Sequence, residues 1–373
     1  MQPRLLIPDD RPWRVLGLMS GTSADGVDVV AIEVDPWAFQ DGKPFRSLLG
    51  HHSEGYPAQF RDQVLAAASN RLAPEDLCVL QRNLGDHHAQ AARTLCEVLA
   101  LRPDLASLHG QTVQHHPSQG ASLQLADPYV LAEALGCPVV WDLRRRDLAL
   151  GGQGAPLVPL PERWLHGAGP WMALNLGGIA NLALWDGQTT QAWDTGPGMS
   201  LLDLAAKRWL GLPFDPEGAA ASGTVAEPLL DRWLRHPYFR VAPPKSTGRE
   251  VFGEAWLTIE TTGLEALPLA DRLATLAAFT AAAVSIEAAR TAPWPTGMRG
   301  LVSGGGARHR RLRTELAQRL PLPLEDDATF PPGAREAVSW ALLGAASALG
   351  IPGNLPEVTG ASRAAVLGSW VWP

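Results

Sequence analysis

Cysteine is scarce in this 373-residue chain: Cys78, Cys96 and Cys137 are the whole supply. An odd count without metal or redox spacing argues against a disulfide framework and fits a reducing, cytoplasmic setting. Surplus positive charge is missing as well. The formal net charge is −7, and no basic stripe marks a nucleic-acid binder. The short clusters Arg144-Arg145-Arg146 and Arg308-His309-Arg310-Arg311 read as solvated faces. No run is pure enough for a membrane span, because Thr275, Thr280, Ser285 and Glu287 interrupt the Ala-rich stretch Leu273–Ala289. The N-terminus has no basic-then-apolar signal pattern. His115-His116 has no Cys, Asp or Glu partner at ligand spacing, so a zinc site is not expected. Neither G-x-x-x-x-G-K-[ST] nor a complete G-x-G-x-x-G is present, which removes support from the P-loop and Rossmann readings. What remains is a globular composition, 46% hydrophobic and 18% charged, with length for about two domains of ~150 residues each.

Against these absences stands a repeat. Val15–Met19, a tip Ser20-Gly21-Thr22-Ser23-Ala24-Asp25-Gly26, and Val27–Ile32 form an apolar strand, a turn of small residues and a second apolar strand. Met172–Leu176, Gly177-Gly178 and Ile179–Leu184 do the same. Each copy is followed by an Asp-Gly turn and a third strand. Two copies imply two related lobes facing each other, with tips that let backbone N–H groups approach phosphate. The expected first lobe is residues 1–145, with about 351–373 packing back on it. The second is 146–350, and Asp142–Gly154 is the crossing. Helices are expected at Ala58–Ser69, Asp86–Leu101, Tyr129–Leu135, Leu269–Thr291, Arg310–Leu320 and Glu336–Leu349. Ser200 with Asp203 reads as a helix N-cap pair. His109-Gly110-Gln111-Thr112 is expected at a strand end.

Three kinds of residue carry chemistry. The first tip, Gly21 to Asp28 (Gly21, Thr22, Ser23, Ala24, Asp25, Gly26, Val27 and Asp28), is a candidate phosphate cradle, with Asp25 or Asp28 near a metal's water ligands. Gly177, Gly178 and the triple glycine Gly304-Gly305-Gly306 offer bare backbone at two further strand ends, the latter before a helix. Asp194, in Trp193-Asp194-Thr195-Gly196-Pro197-Gly198, is a carboxylate able to take a proton from a hydroxyl or water; the competing reading is an Asp that caps its own turn. His109 could donate to a substrate oxygen or serve as a structural hydrogen-bonder.

These motifs resemble the anhydro-N-acetylmuramic acid kinases, a family of the actin-like sugar-kinase superfamily. The matching blocks are Gly17–Asp28, His109–Val113, Gly151–Pro159, Asn175–Asn181, Asp194–Gly198, Pro244–Glu250, Gly304–Ala307, Gly353–Pro356 and Val358–Arg363. The resemblance implies an α/β, two-lobe actin-like (ribonuclease H-like) fold with a central cleft. It implies ATP and Mg²⁺, with no direct metal ligand, and a free amino sugar as partner, with neither nucleic acid nor membrane. It also implies a homodimer. Asp194 matches the family's catalytic Asp, while Arg144 and Glu336 fall where its sugar-site residues lie. Met199 and His309 stand where the family usually has Asn. A kinase for an ordinary hexose hydroxyl and a non-enzymatic ATP-driven module remain open alternatives at this point.

Overall fold

The computed structural model describes residues 8, 10–21, 24–243, 245–260, 263–327, 330, 331 and 333–373, apart from the Glu260 side chain. Its strands are β1 Trp13–Ser20, β2 Gly26–Val34, β3 Phe45–Gly55, β4 Leu105–His116, β5 Ala121–Leu125, β6 Val139–Trp141, β7 Trp171–Leu176, β8 Ile179–Trp185, β9 Thr190–Pro197, β10 Arg299–Ser303, β11 Leu324–Asp326 and β12 Ser369–Val371. Its helices are α1 Ala58–Ala68, α2 Pro74–Val98, α3 Pro128–Leu135, α4 Arg145–Ala149, α5 Pro159–His166, α6 Ser200–Leu210, α7 Glu227–Trp233, α8 Glu254–Glu260, α9 Leu269–Ala289, α10 Arg310–Arg319, α11 Ala334–Ala348 and α12 Pro356–Thr359.

The chain divides into two compact units, residues 1–168 with 330–373, and residues 169–329. The sheet of the first unit runs β12-β6-β4-β1-β2-β3, with β5 beside β4. Here β1, β2 and β3 are antiparallel neighbours, and β4 and β6 run parallel to β1. The sheet of the second unit runs β11-β10-β7-β8-β9 with the same directions. Numbered within its unit, the second order is 3-2-1-4-5, and the first follows the same order when β6 takes the fifth place, with β5 beside β4 and β12 added at the β6 edge. This is the duplicated ribonuclease H-like sheet that the paired hairpins imply.

Period-2 alternation explains how the first sheet is covered. Val15, Val30 and Ile32 join one buried cluster with α11 residues Ala337, Val338, Ala341 and Leu342. Leu16, Leu18, Val29 and Ala31 join another with α2 residues Ala91, Ala92 and Leu95. Gly17 lies on the α11 face, where a Cβ would come within 2.0 Å of the Ala337 carbonyl oxygen. In the second unit, Met172, Leu174, Leu182 and Leu184 pack with Ala281 and Val284 of α9 and with Leu312 and Leu316 of α10. Helix α9 has the length and hydropathy of a membrane span. It is nevertheless a core helix, with Leu273 through Val284 all buried.

The lobe boundaries differ from those expected. The crossings fall after Ala168 and before Phe330, not at 145/146 and 350/351. Segment 146–168 forms α4 and α5 on the first unit, and α11 belongs there because its small residues seat on β1, β2 and β4. Helix α2 starts earlier than expected, at Pro74, with Glu75 and Asp76 in its first turn. Ser200 is not a side-chain cap. Met199 occupies the N-cap position, and the Ser200 hydroxyl donates to the Phe252 carbonyl at 3.0 Å.

A buried acid ties α5 to α11. Arg335 Nε donates to Glu162 Oε1 at 2.9 Å, and the Arg335 Nη2 and His166 Nε2 reach Glu162 Oε2. Burial alone would raise the Glu162 carboxyl; Arg335 and His166 outweigh it and hold the group at about 2, below its ordinary 4.5. The folded value is depressed, so the stabilisation is full above the unfolded value and lost as pH falls from there through about 2. It amounts to about 3 kcal/mol at neutral pH. Arg335→Gln should lower stability at pH 7 by about 3–5 kcal/mol, with a smaller loss as pH approaches 2, measured by urea unfolding across that range. An equal loss at all pH values would contradict the ion-pair account.

Candidate active site

In the second unit the chemistry gathers around Asp194 on β9. The ladder pairs Asn181 with Asp194 and Ala180 with Gly196, leaving Thr195 as an extra residue. Such a bulge re-aims the side chains beside it, and the Thr195 hydroxyl fixes it by donating to the Ala180 carbonyl at 3.1 Å. The loop after Val241 then crosses the strand. Thr247 N–H donates to Asp194 Oδ2 at 2.9 Å, Asp194 N–H donates to the Lys245 carbonyl at 3.2 Å, and Tyr238 O–H donates to the Asp194 carbonyl at 2.5 Å. Burial pushes the Asp194 carboxyl up to about 6; the Thr247 N–H opposes that shift and the Glu250 charge adds to it. The loop itself is anchored by Lys245, whose Nζ pairs with Glu287 at 2.8 Å and lies 4.2 Å from the Tyr238 ring centre. Glu287 has no exposure and also holds Arg290 at 3.0 Å and the Trp193 indole N–H at 3.1 Å.

The Gly-rich ends of this unit present bare backbone. A Cβ on Gly305 would meet nothing within 4 Å, and one on Gly178 would meet only the Arg249 guanidinium, at 3.4 Å. Gly177 is similarly open, whereas Gly304 packs on Asn175 and Leu176, and Gly306 on Leu176 and Met199. Arg249 therefore stands at the second hairpin tip, and its charge opposes the burial that raises Asp203 to about 6.

In the first unit, Gly21 to Asp28 split by role. Thr22 and Ser23 lie outside the described residues. Ala24, at φ +55°, and Val27 are buried in apolar clusters. Gly26 lies so close to β3 that a Cβ would be 2.2 Å from the Glu54 carbonyl oxygen. Asp25 is exposed, 3.6 Å from Arg61. Asp28 accepts from His51 at 2.9 Å. A buried network backs the tip. His88 Nε2 is 2.9 Å from the Ser20 hydroxyl, Tyr56 O–H donates to the same hydroxyl at 2.9 Å, and Gln111 Nε2 donates to the Gly21 carbonyl at 3.0 Å.

A second group surrounds the start of α11. Gly333 adopts φ +84°, and a Cβ there would lie 2.6 Å from Asp28 Oδ1. Both facts demand glycine. Glu336, in the first turn, is open to solvent. Its carboxyl is raised by surrounding protein, lowered by Arg144 and raised again by Asp28. Arg144 is pushed down to about 10 by burial, with Glu336 opposing. The structure thus brings Asp28, Arg144 and Glu336 into one electrostatic neighbourhood. His109 is 5% exposed and sits inside β4, not at its end. Its Nδ1 lies 2.7 Å from the Gly110 carbonyl, and its Nε2 accepts from Arg144 Nε at 3.0 Å. Both nitrogens are committed to protein, so the expected donation from His109 to a substrate is replaced by a contact with Arg144. Among the described residues no cluster of three His, Cys, Asp or Glu side chains is placed to hold a metal.

Comparison with known proteins decides between the readings left open. The family model for anhydro-N-acetylmuramic acid kinase matches residues 13–373. The anhydro-N-acetylmuramic acid kinase of Parasynechococcus marenigrum (strain WH8102) is 43% identical over 382 residues, 96% of this chain and 99% of the relative. That of Streptomyces avermitilis is 42% identical over 373 residues, 95% and 94% of the two chains. The chain belongs to the anhydro-N-acetylmuramic acid kinase family. Among solved structures, component A of the Acidaminococcus fermentans (R)-2-hydroxyglutaryl-CoA dehydratase aligns over 90% of this chain and 99% of its own, at 11% identity and a TM-score of 0.46.

The two departures from the family pattern now have physical settings. The His309 Nδ1 accepts from Leu312 N–H at 3.2 Å and caps α10, a task that an Asn oxygen also performs. The Met199 sulfur packs against the Gly306 backbone, 2.8 Å from where a Cβ would stand. Sequence reasoning assigned no role to Arg249, Thr247 or Lys245, although it singled out their block; what it lacked was the fold-back of that loop onto β9. The Asp194 environment is open to measurement. Carbon-13 NMR of the ligand-free protein should show the Asp194 carboxyl titrating near 6, and Glu250→Gln should move it down. A value near the ordinary 3.8 that ignores Glu250 would contradict the burial account.

Proposed function

We propose that this protein couples hydrolytic opening of 1,6-anhydro-N-acetylmuramate to phosphorylation of its 6-oxygen by ATP, yielding N-acetylmuramate 6-phosphate for cell-wall recycling. Asp194 carries the reading. A carboxylate at about 6, held among the described residues by a backbone N–H and not by a cation, is ionised at neutral pH yet basic enough to accept a proton. Asp194 takes a proton from water as the water oxygen bonds to the anomeric carbon. The bond from that carbon to the 6-oxygen breaks, and its electron pair stays on the oxygen. That oxygen bonds to the terminal phosphorus of ATP, and ADP departs with the pair of the broken P–O bond. Ring opening thereby creates the nucleophile that phosphoryl transfer consumes, and alignment supplies much of the acceleration.

The remaining residues have assignments that follow from their charge. Gly21, Gly26, Gly177, Gly178 and Gly304–Gly306 offer backbone to the nucleotide, with Thr22 and Ser23 adding hydroxyls, and Arg249 adds a cation for phosphate oxygens. The exposed backbone at Gly178 and Gly305 fits such a group. Bound Mg²⁺ would neutralise phosphate charge and keep several water ligands; Asp28, or the more exposed Asp25, is the acid to accept from those waters. Arg144 grips the lactyl carboxylate and Glu336 takes sugar hydroxyls. The same reading carries a cytoplasmic homodimer that acts on a free sugar.

Asp194→Asn should reduce kcat by ~10²–10⁴ with a melting temperature no lower than that of the unaltered enzyme, because burial disfavours the Asp194 charge. In the unaltered enzyme kcat/KM should fall as pH drops below about 6. Turnover in ¹⁸O-water should place the label at the anomeric carbon. Label-free product would identify direct phosphorylation of an existing hydroxyl, and near-normal turnover of Asp194→Asn would end the base assignment.

A further inference from the structure

The hydrogen-bond acceptors that hold Arg144 are neutral, and the acid in its electrostatic neighbourhood, Glu336, takes no hydrogen bond from it among the described residues. Its Nε donates to His109 Nε2 at 3.0 Å and its Nη1 donates to the Gly154 carbonyl at 2.8 Å. The guanidinium carbon lies 5.1 Å from the centre of the Trp340 ring, and His109 lies against the same indole, ring centres 4.4 Å apart. The His109 proton is on Nδ1, because that nitrogen faces the Gly110 carbonyl at 2.7 Å, so Nε2 is a neutral acceptor. Nη2 has no hydrogen-bond partner among the described residues. Two edges and one face of the guanidinium are thus fixed, and one edge is left over.

The Gly154 carbonyl has its own support. Gly154 N–H donates to Asp147 Oδ2 at 2.7 Å. The other oxygen, Oδ1, accepts from Asn354 Nδ2 and from the Thr359 hydroxyl, each at 2.7 Å. Asp147 has no exposure. Gly152 packs so closely that a Cβ would stand 2.2 Å from Asp147 Oδ2. Gln153 N–H donates to the Thr359 carbonyl at 2.9 Å, and Ser362 N–H to the Leu150 carbonyl at 2.9 Å. A buried carboxylate satisfied by neutral donors is costly unless every bond is kept. Here it staples loop 150–154 to a segment two hundred residues further along the chain.

We propose that Asp147, acting through the Gly154 backbone, and His109 are positioning residues that preset Arg144 as a fixed receptor for the carboxylate of the sugar. The inference rests on the assignment of Arg144 given above. A pre-set guanidinium loses little freedom on binding. It also penalises a substrate that lacks the anion, because its remaining edge then stays unmatched.

The test compares the anhydro sugar with and without its carboxylate-bearing side chain, using Asp147→Asn, His109→Gln, His109→Phe and Arg144→Gln. Asp147→Asn keeps the shape but turns a donor towards one of three donors. It should reduce kcat/KM for the carboxylate sugar about 10- to 100-fold, mostly through KM, change KM for ATP less than about twofold, and leave the carboxylate-free sugar nearly unaffected. His109→Phe should act likewise, and His109→Gln, which retains an acceptor, should restore discrimination. In the Arg144→Gln background, Asp147→Asn should add nothing. Equal losses on both sugars, or effects that add to Arg144→Gln, would overturn the positioning role; should Asp147→Asn fail to fold, the His109 pair decides alone. Discrimination that survives Arg144→Gln itself would reject the receptor assignment, and with it this inference.

Discussion

The proposed reaction depends on how Asp194 is held, and the contact that meets its carboxylate is the Thr247 N–H. A carboxylate inside a protein can be satisfied by cations or by neutral donors, and the choice fixes its basicity. Glu162 shows the first arrangement: Arg335 and His166 hold it near 2, and it serves only as a tie between helices. Glu287 takes Lys245 and Arg290 and anchors a loop. Among the described residues Asp194 has a single backbone donor on its carboxylate and an acidic neighbour in Glu250, so burial prevails and the group stands near 6. Within its own unit the Lys245–Glu287 pair anchors the loop, so the Asp194 carboxylate is not spent on an ion pair among the described residues.

The scaffold explains why these acids sit where they do. In both units a glycine-tipped hairpin lies within the sheet, and the candidate side chains Asp194 and His109 lie where a strand departs from regular pairing. Asp194 is next to the Thr195 bulge. His109 precedes Gly110, where β4 leaves β6 and begins to pair with β5. Irregular backbone costs ladder hydrogen bonds, and here the loss is offset by local contacts, such as the Thr195 hydroxyl on the Ala180 carbonyl.

Much of this was legible from the residues. Alternating apolar residues flanking small tips identified both hairpins, since a two-residue period is a local property. Asp194 stood out because Thr-Gly-Pro-Gly follows it directly. Lobe membership was less legible: α11 reads as any Ala-rich helix, and nothing in its periodicity says that it will seat on Gly17. Asp147 was hidden in Arg-Arg-Arg-Asp, where an acid looks like a solvated charge, because its donors Asn354 and Thr359 are remote in sequence. Ser200 looked like a cap but found a tertiary acceptor in Phe252. The misses share one cause, which is that a polar group's partner is chosen by the fold and not by its neighbours in the chain.

The most direct test of the central claim is a crystal structure with the anhydro sugar and a non-hydrolysable ATP analogue. The account predicts a water about 2.6–3.2 Å from an Asp194 carboxylate oxygen, on line with the anomeric carbon and opposite the bridge oxygen. Finding Asp194 out of reach of any water that addresses that carbon would contradict it.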